Sequence, residues 1–459
     1  MKSMIFAFKS DTPKYKQIYE QFKALIEHGN IKVNEQLPSI RELANSLQVS
    51  RNTTLMAYDL LLAEGYIRGE SRKGYFANEV GPLLRQENAE VRADKTETSQ
   101  PVLIDFRAGA VDQKHFPLKT WRKLYNQVLS LEKSYLYSEP FGEMSLREQI
   151  ATYLLESRGV KTDANSIIIG SGTQQMLIYL CHILKEEFHG IVVENPGYEG
   201  AREAFQFHGL HLETLPVYES GADFSQLNAL KEKLIYVTPS HHSPYGVSMT
   251  IQHRQTLINW ANNREGYIIE DDYDSEFRYT QQPFPALASI QSERVIYLGN
   301  FSKSFLPGIR ISYMVLPQPI LHKYKKRFLH FENTASLLNQ LTMSEFIKAG
   351  EWTRHIKRMR IVYKRKMQHL ISNLKQQFGD HVTIIGEHSG LYILVRVHLK
   401  CPEEKLIQRA LQYGVKVYPT SIHFVNTMPD KPIIKLGFAH LNFDEITSGS
   451  QLLKSAWLN

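Results

Sequence analysis

Five short runs of β-branched, aliphatic and aromatic residues recur between positions 167 and 298: Ile167-Ile168-Ile169, Ile191-Val192-Val193, Leu234-Ile235-Tyr236-Val237, Tyr267-Ile268-Ile269 and Val295-Ile296-Tyr297-Leu298. Each is short enough for a strand and stops at glycine or polar residues, which predicts buried strands. Amphipathic stretches at helical spacing separate them, and strands alternating with helices require an α/β domain. Open α/β sheets keep their ligands beyond the carboxyl ends of their strands. The residues just after each run therefore bear on function.

After the run at 295–298, Gly299 ends the strand and NFSKSFLPGIR follows, with Lys303 between hydroxyl residues and then Pro307, Gly308 and Arg310. A lysine amine can form a Schiff base with a carbonyl cofactor, and hydroxyls with a guanidinium suit a phosphate. On its own an SKS tripeptide is a surface loop, so the other strand ends decide. Ile169 runs into Gly170-Ser171-Gly172-Thr173-Gln174-Gln175 and a helix expected over residues 176–185; the backbone N–H groups at its start, with the Thr173 hydroxyl, form an anion cradle. The run at 191–193 delivers Tyr198, a ring that can stack on a flat cofactor. The run at 267–269 ends in Glu270-Asp271-Asp272-Tyr273-Asp274, and one carboxylate beside a pyridine nitrogen keeps that ring protonated. Residues 240–246, SHHSPYG, close the run at 234–237.

The first eighty residues follow another pattern. Ile18, Phe22, Leu25 and Ile26 give a helix over residues 15–27. Ser39 and Glu42 form a capping box for a short helix whose inner face is Leu43, Ala44 and Leu47. Ser50 then caps a second helix, with Leu55, Met56, Leu60 and Leu61 expected inside and Arg51, Thr53 and Thr54 exposed. Two short helices joined by a tight turn make a helix-turn-helix, and small hydroxyl and arginine side chains at the second helix's start suit a DNA major groove. Residues 68–76, RGESRKGYF, form a hairpin with the basic tip Arg72-Lys73, a wing. Residues 81–101 are charged, poor in apolar side chains and aperiodic, as a flexible linker is.

A chain of 459 residues, 42% hydrophobic, holds two or more domains. The charge of +7 permits a nucleic-acid partner but does not point to one region. Up to Val80, eleven Lys and Arg face nine Asp and Glu. Cys181 and Cys401 stand far apart without metal-ligand spacing, so neither a disulfide framework nor a metal site is expected. No apolar run is long enough for a signal peptide or a bilayer span, which makes the cytoplasm the expected location and a membrane partner unexpected.

The stretch PSIRELANSLQVSRNTTLMAYDLLLAEGYI followed by RKGYF resembles the winged-helix DNA-binding domain of GntR-type regulators. The strand ends from about Asp105 onward, in their order and spacing, resemble fold-type I aminotransferases, which bind pyridoxal 5′-phosphate (PLP). Their combination, with EDDYDSEFRY and FSKSFLPGIRISYMVLP, is similar to MocR-type regulators. The resemblance implies a winged helix-turn-helix over residues 1–79, a linker over 80–103, and over 104–459 an aminotransferase-like domain with a mixed, mostly parallel sheet and a smaller C-terminal subdomain. It implies Lys303 as the Schiff-base lysine, Asp271 as partner of the pyridine nitrogen, Tyr273 as donor to the phenolic oxygen and Tyr198 as the stacking ring. Thr173, Gln174, Ser302 and Arg310 would hold the phosphate, with Asn300 where a second hydroxyl residue is usual. Arg41, Ser50, Arg51, Thr53, Thr54, Arg72 and Lys73 would face an operator in double-stranded DNA. The assembly implied is a domain-swapped, head-to-tail homodimer.

Three departures qualify that picture. Aminotransferases, and family members that sense an amino acid, clamp the substrate carboxylate with an arginine near the C-terminus, and no arginine follows Arg409. The matching region, residues 418–424, offers His423 as the effector contact. After Tyr198 the chain reads Glu199-Gly200-Ala201-Arg202 where a GABA-responsive member has a second arginine, and Ser243 stands where an asparagine amide contacts the ring oxygen. The expectation is a sensor and not an enzyme, with at most a residual half-transamination: a regulator whose operator binding responds to PLP or to a PLP-linked effector, an amino compound other than a simple α- or γ-amino acid, with control of vitamin B6 synthesis as a candidate output. A genuine aminotransferase with an appended DNA-binding domain, and a PLP-independent repressor with a relic domain, are the alternatives. Residues 352–370 form a helix bearing Arg354, Lys357, Arg358, Arg360, Lys364, Arg365 and Lys366, a solvated face or a path for bent DNA.

Overall fold

A computed structural model describes residue 8 and residues 12–80, 101–279, 284–427 and 429–458. The chain divides into two compact units, residues 1–99 and 100–459. Most of the segment read as a linker, residues 81–100, lies outside the described residues.

In the first unit, helices Lys14–Glu27, Ile40–Ser46 and Arg51–Ala63 pack around Ile18, Phe22, Leu43, Tyr58 and Leu61. The capping box forms as expected: Ser39 Oγ accepts from Glu42 N at 3.2 Å, and Glu42 Oε2 accepts from Ser39 N at 2.9 Å. Ser50 Oγ likewise accepts from Thr53 N at 3.1 Å. Between these helices Gln48 turns the chain at φ 51°. Strands Ile67–Glu70 and Gly74–Ala77 pair antiparallel as the wing, with Arg72 at φ 62° on its tip.

The phase of the third helix differs from the expected one. Thr54, Ala57, Tyr58 and Leu61 face inward, while Leu55, Met56 and Leu60 are exposed. Tyr58 decides this: its ring fills the core against Phe22 and Tyr75, and its hydroxyl donates to Pro38 O at 2.8 Å. Burying Tyr58 draws in positions three and four residues away on the same face. Thr54, expected among the DNA-facing residues, is thereby fully buried.

In the second unit an eight-stranded sheet runs in the order Ile167–Gly170, Ser312–Val315, Val295–Asn300, Tyr267–Asp272, Leu234–Val237, Gly190–Asn195, His211–Tyr218, Gly221–Ala222. From Val295–Asn300 to His211–Tyr218 every pair is parallel; Ser312–Val315 is antiparallel to both its neighbours. The apolar runs follow from helical layers on both faces. Ile168, Ile191, Val193 and Ile269 feed one core, and Ile167, Ile169, Val192 and Ile268 the other. A second, antiparallel sheet of Val382–Ile385, Tyr392–Val397, Ile433–Gly437 and Tyr418–Pro419 forms the smaller subdomain. The mixed, mostly parallel α/β architecture is the one the sequence predicts.

The basic segment lies on a 28-residue helix, Glu351–Phe378. Arg354, Lys357, Arg358 and Arg365 are exposed, whereas Lys366 is buried and donates to Asp112 Oδ2 at 2.6 Å and Ala439 O at 2.7 Å. Lys366 therefore belongs to the core side of the helix, not to its charged face. Of the two thiols, Cys181 is buried and Cys401 partly exposed.

Candidate functional site

Lys303 follows the strand Val295–Asn300, all six residues of which are buried. The chain turns there because Asn300 Oδ1 accepts from Ser302 N at 3.0 Å and Lys303 N at 3.3 Å. That oxygen is committed to shaping the turn, so only the amide nitrogen of Asn300 remains for an anion. The chain then passes through the turn Pro307–Ile309, takes Arg310 into the left-handed region at φ 53°, and re-enters the sheet at Ser312 opposite Asn300. Lys303 and Arg310 thus come back to one end of the sheet.

Both side chains lie against glycine. A Cβ at Gly109 would collide with Lys303 Nζ, and one at Gly172 would collide with the Arg310 guanidinium. Gly172 precedes the helix Thr173–Leu184, which starts three residues earlier than the sequence pattern suggests and has no side-chain cap. Its first N–H groups stay open, a ready anion site beside Arg310.

The carboxylates after Tyr267-Ile268-Ile269 separate by role. Glu270 accepts from the backbone N–H groups of Leu287 and Ala288 at 2.9 and 3.0 Å. Asp272 pairs with Arg158 at 2.7 Å and accepts from Tyr297 at 2.6 Å. Between them Asp271 points into the cavity: Oδ2 accepts from Tyr236 at 2.5 Å, and Oδ1 is buried with no hydrogen-bond partner among the described residues. Burial pushes its pKa up to about 7, with Asp272 and Asp274 adding to the rise. A carboxyl so placed favours a cationic partner at Oδ1.

Asp274 holds His241, its oxygens 2.7 and 2.8 Å from Nδ1, and the Tyr273 hydroxyl lies 3.1 Å from the same nitrogen. A ring nitrogen that gives its proton to a carboxylate has no lone pair for a phenol. The Tyr273 hydroxyl therefore keeps its proton, for the Tyr392 phenol beside it or for an acceptor in the cavity. Burial lowers the pKa of Lys303, against the pull of Asp274, Glu199 and Asp271, and so favours the neutral, nucleophilic amine.

On the far wall His423 is buried, its Nδ1 2.8 Å from Glu199 Oε2 and its Nε2 bonded to Lys435 Nζ. Nδ1 also lies 3.1 Å from Gly197 O, so two acceptors place the imidazole proton there and leave Nε2 to accept from the Lys435 ammonium. Against the cost of burial, contact with His423 brings Glu199 down to about 2, while burial brings Lys435 down to about 8. The sequence reading missed Lys435; its only signal is that it is the lone charge within the apolar strand Ile433–Gly437. Arg202, noted in sequence, binds the carbonyls of Ile422 and His423 at 2.8 and 3.4 Å and fastens this turn to the helix Glu199–Phe207.

One cavity of about 360 Å³ gathers Thr173, Gln174, Tyr198, Asp271, Tyr273, Asn300, Ser302, Lys303, Arg310 and His423, every small-molecule contact expected from sequence, and adds Glu199 and Lys435. Ser243 lines it as well. Of the residues expected to face DNA, Arg41, Ser50, Arg51, Arg72 and Lys73 are exposed and Thr53 is partly exposed, its Oγ1 lying 2.8 Å from Ser50 Oγ.

Residues 14–76 match the bacterial regulatory proteins of the gntR family, and residues 101–449 match aminotransferase class I and II. The uncharacterized HTH-type transcriptional regulator YdeL of Bacillus subtilis (strain 168) is 40% identical over 459 residues, covering 97% of each chain. The probable rhizopine catabolism regulatory protein MocR of Rhizobium meliloti is 32% identical, covering 98% of this chain and 94% of its own. Among solved structures, Pyrococcus horikoshii kynurenine aminotransferase in complex with PMP superposes with a TM-score of 0.70 at 25% identity, covering 78% of this chain and 91% of that one.

Proposed function

The chain belongs to the MocR-type regulators of the GntR superfamily, and on that premise we propose that it is a DNA-binding transcription regulator whose affinity for its operator answers to PLP held at Lys303. The observation that carries the reading is the unpartnered, buried Oδ1 of Asp271 facing into the cavity that Lys303 also lines. No group among the described residues satisfies that oxygen, and a protonated pyridine nitrogen would. Glycines 109 and 172, where any side chain would collide with Lys303 or Arg310, fit the same occupant.

PLP supplies an aldehyde for an amine and an electron-withdrawing ring. The chain's own residues bind and orient it. Arg310, Ser302 and the N–H groups of Thr173 and Gln174 hold the phosphate, and Tyr198 lies against the ring. Asp271 would keep a proton at the ring nitrogen, Tyr273 would donate its proton to the phenolic oxygen, and Lys303 would provide the amine, which burial keeps ready to react.

A regulator needs this binding to differ between two conformations of the protein, because a ligand shifts an equilibrium only by its differential affinity. The two units belong, in this reading, to a domain-swapped, head-to-tail homodimer in the cytoplasm, with residues 80–103 as the linker that carries the change. Lys435 sharpens the effector. A lone ammonium cannot form the planar fork of an arginine, but it binds an anion as a point charge, so an amino compound bearing a carboxylate fits the wall of Glu199, His423 and Lys435. If PLP alone is the ligand, a regulated supply of vitamin B6 is the natural output.

Titration of the purified protein with PLP, followed by amino acids, tests the reading through visible absorbance and operator binding. PLP should give a new absorbance band that Lys303→Ala abolishes, and operator affinity should change with it. Steady-state turnover of an amino acid would favour a genuine aminotransferase with an appended DNA-binding domain. Absence of any band would sink the PLP reading.

A further inference from the structure

The third helix of the DNA-binding unit, Arg51–Ala63, buries Thr54, Ala57, Tyr58 and Leu61 and turns the opposite face outward. The first two turns of that free face consist of Arg51, Asn52, Leu55 and Met56, all exposed, with Leu55 at 40% and Met56 at 49%. Two large apolar side chains side by side on a helix carry a hydration cost that a polar face would avoid, which marks the patch as a contact surface. Arg51 opens the same helix, and the unit carries further exposed cations at Arg41, in the first turn of the preceding helix, and at Arg72 and Lys73 on the wing tip.

An exposed helix face that opens on an arginine, in a unit that carries further exposed cations, matches a DNA major groove, where phosphates flank the base edges. Within that groove one base presents a prominent apolar group. Thymine carries a 5-methyl group, whereas the other major-groove groups are donors and acceptors that Leu and Met cannot satisfy. We propose that Leu55 and Met56 read thymine 5-methyl groups in the major groove, making them specificity-determining residues of this regulator. Asn52 lies one turn before Met56 on the same face, and its amide can pair with the N6 and N7 edge of adenine. Operator half-sites should therefore place A·T pairs under the start of this helix.

The inference rests on DNA binding by the first unit and not on PLP, so its test runs with the full-length protein, with and without PLP. Half-sites are selected from a random duplex pool, and each thymine of the winning duplex is replaced singly by deoxyuridine, which removes only the methyl group. Burial of one methyl group corresponds to about a fourfold change in affinity. The expected result is a loss of about that size at one or two thymines for the native protein, and no loss at those positions for Leu55→Ala or Met56→Ala. Both side chains are exposed, and unchanged thermal midpoints of the variants show that the fold is intact. Deoxyuridine without effect at every position would overturn the proposal. So would deoxyuridine sensitivity that survives both substitutions, failure of the pool to enrich any sequence, or loss of the dimer in Leu55→Ala with an unchanged deoxyuridine profile, which would assign the patch to a protein contact.

Discussion

Tyr236 donates its phenolic hydrogen to Oδ2 of Asp271 at 2.5 Å, which fixes the carboxyl so that Oδ1 is left buried and unmatched among the described residues. This pairing separates the stability of the protein from its cofactor binding. Asp271 has a folded-state pKa of about 7, above its ordinary value of 3.8. A carboxyl raised in this way costs stability as the pH climbs past the unfolded value, because the folded state resists ionisation. Asp271→Asn should keep the bond from Tyr236 and shed the charge, so its thermal midpoint at pH 8 without PLP should equal or exceed that of the native protein. Its affinity for PLP should fall about 10- to 100-fold, the worth of a hydrogen bond to a charged group. Melting curves and an absorbance titration check both signs.

Gly109 and Gly308 make a matched pair for substitution. At Gly109, φ is +92° and a Cβ would strike Lys303 Nζ, whereas a Cβ at Gly308 meets nothing within 4 Å. Gly109→Ala should cost about 1–2 kcal/mol of stability and block PLP uptake by displacing the amine. Gly308→Ala should change neither, as read by denaturant unfolding and PLP absorbance.

Lys435 titrates near 8 in the fold, with His423 and Glu199 on one side and Lys303 across the cavity. Its ammonium form dominates below that value. Binding of a carboxylate effector should therefore hold constant between pH 6.5 and 7.5 and weaken as the pH rises past about 8, by up to about tenfold per unit. Lys435→Met should abolish the binding, and Lys435→Arg should keep it flat through pH 9.5. Calorimetric titration across this range provides the measurement.

Thr54 and Arg51 stand three residues apart and should behave oppositely. Thr54 Oγ1 is buried and has no hydrogen-bond partner among the described residues. Thr54→Val should leave DNA affinity unchanged and stabilise the unit by about 1 kcal/mol by removing an unsatisfied hydroxyl. Arg51→Ala should leave stability within about 0.5 kcal/mol and weaken operator binding with a shallower salt dependence.

The long basic helix contains two kinds of cation. Breaking the buried pair with Lys366→Met should cost about 3–5 kcal/mol, because Asp112 would be left charged and buried. Neutralising Arg358 and Lys364, which lie exposed and partly exposed, should leave the melting curve in place. If DNA passes this helix, the same change flattens the salt dependence of operator binding. An unchanged slope assigns the face to solvent.

The sequence by itself determined five of the eight strands of the large sheet, the capping box at Ser39, the wing, and most of the residues that meet around Lys303. Those features depend on near neighbours in the chain: apolar runs, hydroxyl caps, and residues placed where a strand stops. Tertiary structure decided the rest. Leu55 and Thr54 exchanged their expected environments because the helix is phased by Tyr58, whose partners Phe22, Pro38 and Tyr75 lie elsewhere in the unit. Lys366 counts as one more surface cation until Asp112, from 254 positions away, meets it in the core. Lys435 joins Glu199 and His423 only because the smaller sheet brings the strand Ile433–Gly437 to the cavity wall. A charge takes its role from the groups that surround it in space, and here those groups come from distant parts of the chain.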